Sequence, residues 1–271
     1  MRFKLEEISV HNLREFIEYC DKQYNAGLSG FSLISLRLTL QLIISEQNFQ
    51  NFSSFFDFFK NNLPYQKNTI NNLFRFSNEL FRDAEDWFDL INDLQNLKLF
   101  NKIAIYENGN YSDLVTFLIS LKHFLFNETL DITIIQENGN TLITNKFEFT
   151  DKQIENGILN YEQSNFKDNL KRYFKNDKNK YYYYPDNLVS FKCILLNEFL
   201  KSEETYDLII ARNITLKLNH LQQQIYFNNY IDKLKKNGVL FTGKKEGFKW
   251  CAGFERLYYK NSSSCVYKKL I

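Results

Sequence analysis

The chain is poor in the residues that punctuate a fold. It has 2 Pro and 9 Gly in 271 residues, so few turns can rest on a fixed or permissive φ, and Asn must fill many of them. The same counts exclude a collagen-like or Pro/Gly-rich low-complexity chain. Four cysteines, Cys20, Cys193, Cys251 and Cys265, stand far apart with no Cys-x-x-Cys. That excludes a disulfide framework or zinc ribbon and suggests buried thiols in a reducing cytoplasm. His11, His123 and His220 adjoin no Cys or carboxylate cluster at metal-ligand spacing, so no metal is expected, and structural or surface roles are. There is no Gly-x-Ser-x-Gly and no P-loop. A net charge of +2 offers no general argument for nucleic acid. No signal-peptide pattern heads the sequence. No uncharged apolar run reaches the roughly 18 residues of a membrane helix. Phe31 to Ser45 comes closest, and Arg37 interrupts it. A cytoplasmic monomer without membrane insertion is expected.

What the chain does have is apolar bulk: 44% hydrophobic residues, 17% aromatic, and 27 Phe. Residues 1–97 read as helical. Leu13, Phe16, Ile17 and Cys20 form one stripe behind a cap region at Val10–Asn12. Leu33 to Ile44 is apolar on more than one side. Phe52, Phe55, Phe56 and Phe59 recur at helical spacing and suit core packing. Pro64 ends that helix, and Ile70 to Phe81 and Ala84 to Leu94 are two further helices.

Beyond residue 97 the periodicity changes. Lys102 to Tyr106 is a strand, Asp113 to Phe126 a helix and Ile132 to Ile135 a strand, together a βαβ unit whose first turn, 107–110, could cradle a nucleotide. Asn140 to Lys152 is polar and reads as loop. Gln153 to Tyr161 and Asn165 to Phe174 read as helical. Tyr181 to Tyr184 and Val189 to Cys193 are β-prone. Leu208, Ile209 and Ile210 make a buried strand that delivers Arg212 and Asn213 to its carboxyl end, where α/β sheets bind ligands. A helix over Leu221 to Lys236 follows, with Asn237-Gly238 as its stop, and then a strand at Val239 to Thr242. Phe254 to Tyr259 and Cys265 to Leu270 flank Asn261-Ser262-Ser263-Ser264 as a hairpin.

The stretch Asp207, Arg212-Asn213, Asn237-Gly238, Leu240-Phe241, Gly243 and Glu246 resembles the CheR family, chemotaxis methyltransferases that use S-adenosylmethionine to methylate receptor glutamates. Ala211 stands where the family usually has cysteine. The resemblance extends to Phe81-Arg82-Asp83, to Leu170–Phe174 and to Val189-Ser190-Phe191, and covers about residues 12–270. It implies an α/β fold: a Rossmann-like S-adenosylmethionine methyltransferase sheet, an N-terminal all-α domain (1–97), a methyltransferase domain (98–271) and a small antiparallel β insert at about 175–193. The strands near 103–106, 132–135, 207–210 and 239–242 should lie side by side.

The resemblance also implies a site. Arg82 is the catalytic candidate, orienting the methyl donor or an acceptor carboxylate. The cofactor positions fall on Asn78, Gly109, Tyr111, Asn138 (or Glu137, one residue earlier), Leu195, Arg212 and Asn213. Several of these depart from the family. Phe76 and Asn78 replace an Asn and a Thr, Tyr111 a Glu, Asn138 an Asp, Leu195 an Asn, and Lys217 a Tyr. Arg82 and Arg212 also suit pairing with carboxylates such as Asp83 or Asp207. The implied function is S-adenosylmethionine-dependent protein-glutamate O-methyl transfer, weakened or lost; the alternative is a non-catalytic interaction scaffold. A protein partner, a receptor or signalling protein, is expected. The arginines that dock receptors in the family are missing from the second helix, where Arg37 is followed by Leu38-Thr39-Leu40-Gln41-Leu42.

Overall fold

The computed structural model describes residues 8–74, 79–97, 100–107, 111–136, 146–247, 253–257 and 265–271. Phe76, Asn78, Gly109, Glu137, Asn138 and Cys251 lie outside the described residues. Contacts divide the chain into two compact units. One comprises Met1–Arg75 and Ile214–Tyr226; the other comprises Phe76–Asn213 and Phe227–Ile271.

The first unit is helical. α1 (Val10–Tyr24) has its cap one residue before the expected cap region: the Ser9 hydroxyl accepts from Asn12 N at 3.1 Å. It buries Leu13, Phe16, Ile17 and Cys20. α2 (Leu33–Glu46) buries Leu36, Leu40 and Ile44. α3 (Phe52–Lys60) carries a reciprocal Asn51–Ser54 capping box and buries the four-Phe stripe. Phe16 meets Phe55, Phe56 and Phe59 at ring-centroid distances of 6.0, 5.8 and 5.2 Å, so the stripe is core.

α4 spans Leu63–Phe74, seven residues ahead of the expected start at Ile70. Asn62 accepts from Tyr65 N at 3.1 Å and Pro64 sits in the first turn, where its missing N–H costs nothing. α3 has already ended at Lys60, so Pro64 marks the start of α4 rather than the end of α3. Residues 214–226 complete this unit: Ser32 N donates to Lys217 O at 2.7 Å, and Asn219 N to Gly30 O at 2.9 Å. Lys217 Nζ donates to Leu73 O at 2.9 Å.

The second unit begins at a turn, Leu80–Asp83, where the expected helix to Phe81 is absent. α5 (Ala84–Leu97), β1 (Lys102–Tyr106), α6 (Ser112–His123) and β2 (Leu130–Gln136) follow. β3 (Phe147–Thr150) lies within the stretch read as loop, and α7 (Asp151–Glu162), capped by Thr150, matches the helix expected over 153–161. A 3-10 turn at Leu170–Tyr173 and the start of β4 (Phe174–Asp177) replace the helix expected over 165–174, while β5 (Lys180–Tyr183) falls on the β-prone tyrosine run. β6 (Val189–Leu195), α8 (Leu196–Lys201), β7 (Tyr206–Ala211), α9 (His220–Asp232), β8 (Leu234–Thr242), β9 (Phe254–Leu257) and β10 (Cys265–Lys269) complete the order. α9 starts in the first unit and ends in the second.

Seven strands form one sheet in the order β6-β2-β1-β7-β8-β10-β9, and β3-β5-β4 form a small antiparallel sheet. β6, β2, β1, β7 and β8 run parallel; β10 is antiparallel to both β8 and β9. This is a Rossmann-like, mostly parallel sheet accompanied by a small antiparallel one. The four strands expected at its centre are neighbours.

Two expectations fail here. Val189–Cys193 is not part of the insert: β6 pairs with β2 at the sheet edge. Its Val-Ser-Phe-Lys-Cys alternation marks a half-exposed strand, and an edge strand and an insert strand share that pattern. The helix expected to run to Lys236 ends at Asp232, and Asn237-Gly238 sits inside β8. Tyr206 pairs with Leu234 while Leu208 pairs with Val239, so β8 bulges over residues 235–238. Asn237 takes φ 64°. A Cβ on Gly238 would lie 2.9 Å from Lys235 O and 3.0 Å from Tyr206 O. A helix stop and a β-bulge want the same residues, one tolerating left-handed φ and one lacking Cβ.

The core of this unit joins Trp87, Leu90 and Ile91 of α5 and Phe117 of α6 to Ile103, Ile132, Leu208 and Phe241 of the sheet.

Candidate functional site

The chain passes from β1 through β2 to β6 on one side, then returns to place β7 on the other side of β1. The strand order thus reverses between β1 and β7. In open α/β sheets the crevice at the carboxyl ends of such a pair is where ligands bind. Glu107 follows β1 there, and Arg212 and Asn213 follow β7.

Glu107 is buried. Its carboxylate accepts from Leu114 N at 2.7 Å and from the backbone N–H groups of Tyr111 and Asp113. Burial raises its pKa well above the ordinary value, the nearby Asp113 adds to the rise, and the backbone donors oppose it. Asp113 is likewise raised by burial, against the Arg212 and Arg82 cations. Burial thus favours the protonated form of both carboxyl groups, and the charge of Asp113 strengthens this at Glu107.

Arg212 has no exposed side-chain surface. Its guanidinium donates to Asp83 Oδ2 at 2.7 Å, to Asp113 Oδ1 at 3.3 Å and to the Arg82 carbonyl at 3.1 Å. Its Cζ lies 5.0 Å from the ring centroids of both Trp87 and Phe241. Lys244 adds a second cation to Asp83 at 3.1 Å. Of the carboxylates suggested for Arg212, Asp83 is its partner, while Asp207, at the other end of β7, pairs with Lys235 at 2.7 Å. Arg82 therefore enters the site through its carbonyl and through its field on Asp113.

Asn213, at φ 59°, belongs to a second cluster. Glu246 accepts from Asn213 N at 2.6 Å and from Gly243 N at 2.7 Å. A Cβ on Gly243 would lie 2.6 Å from Asn213 Oδ1, so only glycine lets this side chain cross β8's end. Tyr111 sits at φ 53° as the N-cap of α6. Its ring packs 4.8 Å from Phe147, and its hydroxyl meets Gln136 Nε2 at 3.4 Å. It therefore spans the ends of β1 and β2. Leu195 pairs with Gln136 at the end of β6 and is partly buried.

The structure brings Arg82, Tyr111, Arg212 and Asn213 together along this edge, with Leu195 at its β6 end. Phe81, Asp83, Tyr111 and Asn213 all have positive φ, at 53°, 57°, 53° and 59°. Non-glycine residues take that conformation only when their surroundings over-determine it, and such positions gather at functional sites. Motif matching passed over Asp113 and Lys244. A carboxylate in the first turn of a helix that follows a strand was the available signal for Asp113. Among the described residues, no group of three His, Cys, Asp or Glu could hold a metal ion. Of the cysteines, Cys20 is buried and Cys193 half-buried, both as free thiols.

No family model matches the chain, and no curated protein matches it. Its fold is similar to several solved structures. One is yhhF of Escherichia coli, provisionally described as a methyltransferase, at 10% identity over 71% of this chain and 89% of that one, TM-score 0.40. Another, from Staphylococcus aureus, is provisionally described as a caffeoyl-CoA O-methyltransferase, at 12% identity over 68% and 82%, TM-score 0.33. The methyltransferase PaMTH1 of Podospora anserina, bound to SAH, matches at 10% identity over 99% of both chains, TM-score 0.34. Similarities this distant do not bear on the chemistry of this chain's own side chains.

Proposed function

We propose that the chain keeps an S-adenosylmethionine methyltransferase fold of CheR type in which protein-glutamate methyl transfer is weakened or lost. One observation supports this above others: the polar side chains at the carboxyl edge are engaged with one another. Arg212 is held by Asp83, Asp113 and the Arg82 carbonyl. Glu107 is occupied by the N–H groups of its own turn. Glu246 ties Asn213 to Gly243. Tyr111 closes on Phe147 and Gln136, where a nucleoside would need open space and a carboxylate. These residues do not fit S-adenosylmethionine well, since Leu195 offers no hydrogen bond and the bulky Tyr111 brings a hydroxyl already facing Gln136 in place of a carboxylate.

The scaffold alternative has an observation of its own. Ile34, Leu38 and Leu42 stand one turn apart on α2 at 70%, 55% and 56% exposure. An apolar stripe of this kind in water suits a protein partner.

Calorimetry with S-adenosylmethionine and S-adenosylhomocysteine, beside a tritiated methyl-transfer assay on host lysate, tests the proposal. Binding weaker than millimolar with no labelling is expected. Micromolar binding, with labelling that Arg82→Ala abolishes, would overturn it.

A further inference from the structure

At the opposite edge of the same sheet, the β8 bulge opens a second cavity, of about 430 Å³. This is within the size range of small-ligand pockets. One wall is apolar: Leu94 of α5, Phe100 and Val239. The mouth is charged, with Lys236 and Lys268. Neither ammonium group has a hydrogen bond or ion pair among the described residues. Asp207 also lines the cavity, but both its oxygens are taken. Oδ1 receives Lys235 Nζ at 2.7 Å, and Oδ2 receives Lys102 N at 3.0 Å and Asn101 N at 3.3 Å.

A cation entering this space would meet an Asp207 whose charge is already balanced by Lys235, and two lysines repelling it. An anion would find two ammonium groups without a partner among the described residues. A wholly polar anion would leave the apolar wall wet. We infer that this cavity binds a small anion with an apolar body, its carboxylate or phosphate toward Lys236 and Lys268 and its body against Leu94, Phe100 and Val239. An acyl chain and an aromatic ring share that chemistry. The bulge that shapes the cavity depends on Asn237 and Gly238, and it leaves the Arg212 edge untouched, so the proposal holds whether or not that edge binds a cofactor.

Calorimetry on the full chain with decanoate, 1-naphthoate and the neutral decanol tests it. At least one anion should bind, and decanol should bind at least about tenfold more weakly. The anion that binds tells an acyl from an aromatic ligand. In the double variant Lys236→Gln/Lys268→Gln, affinity for the anion should fall about five- to tenfold, as for partly exposed charge pairs. Its melting temperature and its response to decanol should not change. Silence of both anions at millimolar concentration would overturn the proposal, as would equal binding of decanoate and decanol in the wild type, or an unchanged affinity in the variant. The wild-type comparison decides even if the variant fails to fold.

Discussion

Arg212 shows how a charged side chain can be wholly buried and still be structural. Three acceptors and two aromatic faces surround it. Taking one partner from a buried pair strands the other's charge, at about 3–5 kcal/mol. Arg212→Met is expected to lose that much stability in urea unfolding, and a loss below about 1 kcal/mol would show that the network does not hold the turn at residues 80–83. Glu107 carries a pH signature. Its pKa is raised on folding, so the folded state binds the proton more tightly than the unfolded chain does. The stabilisation is complete below the ordinary glutamate value of 4.5 and is lost as pH rises through the folded value. Glu107→Gln removes this titration while keeping an acceptor for the turn. The difference in melting temperature, variant minus wild type, should therefore grow from pH 5 to pH 8. A constant difference would mean that Glu107 is ionised at both ends.

Among the elements, β8 shows best how local residues and tertiary geometry divide the work. Its bulge exists because Asn237 accepts left-handed φ and Gly238 has no Cβ to strike Lys235 O or Tyr206 O. Gly238→Ala forces those backbone atoms apart, and overpacking of this kind costs about 1–3 kcal/mol. Chemical denaturation should show that loss; a neutral outcome would mean that the bulge relaxes freely. α3 offers a simpler case. Asn51 accepts from Ser54 N at 2.8 Å, and Asn51→Ala should cost about 0.5–2 kcal/mol, as N-cap losses do.

At the scale of the whole molecule, each unit has a core of its own: the Phe cluster around Phe16, Phe55 and Phe59 in one, and the α5–α6–sheet cluster around Trp87 and Phe241 in the other. Phe55→Ala should remove about 3–5 kcal/mol from the first. Hydrogen exchange is expected to quicken at α1 to α3 while β1, β7 and β8 keep their protection. Equal acceleration everywhere would show that the two cores unfold as one. No helix among the described residues is long and apolar enough to cross a membrane.

Short buried runs such as Ile103–Tyr106 and Leu208–Ile210, and stripes such as Phe52–Phe59, were legible in the sequence, because apolar spacing directly encodes which face is buried. From these came the fold class and the central strands. The edge position of β6 was not legible, because alternation tells that a strand is half-exposed but not which neighbour it has. Nor was the β8 bulge, because Asn-Gly serves a helix stop equally well. For the site, the strand-end position of Arg212 was legible, since a buried strand has to deliver the next residue to the sheet's edge. Its partners were not. Asp83 and Asp207 were equally plausible on charge alone, and only the folded chain puts Asp83 at the carboxyl end of β7 and Asp207 at the amino end. Local chemistry thus set the elements and their faces. Tertiary packing decided which side chains meet, since hydrogen bonds and ion pairs depend on distances that join residues about a hundred or more positions apart.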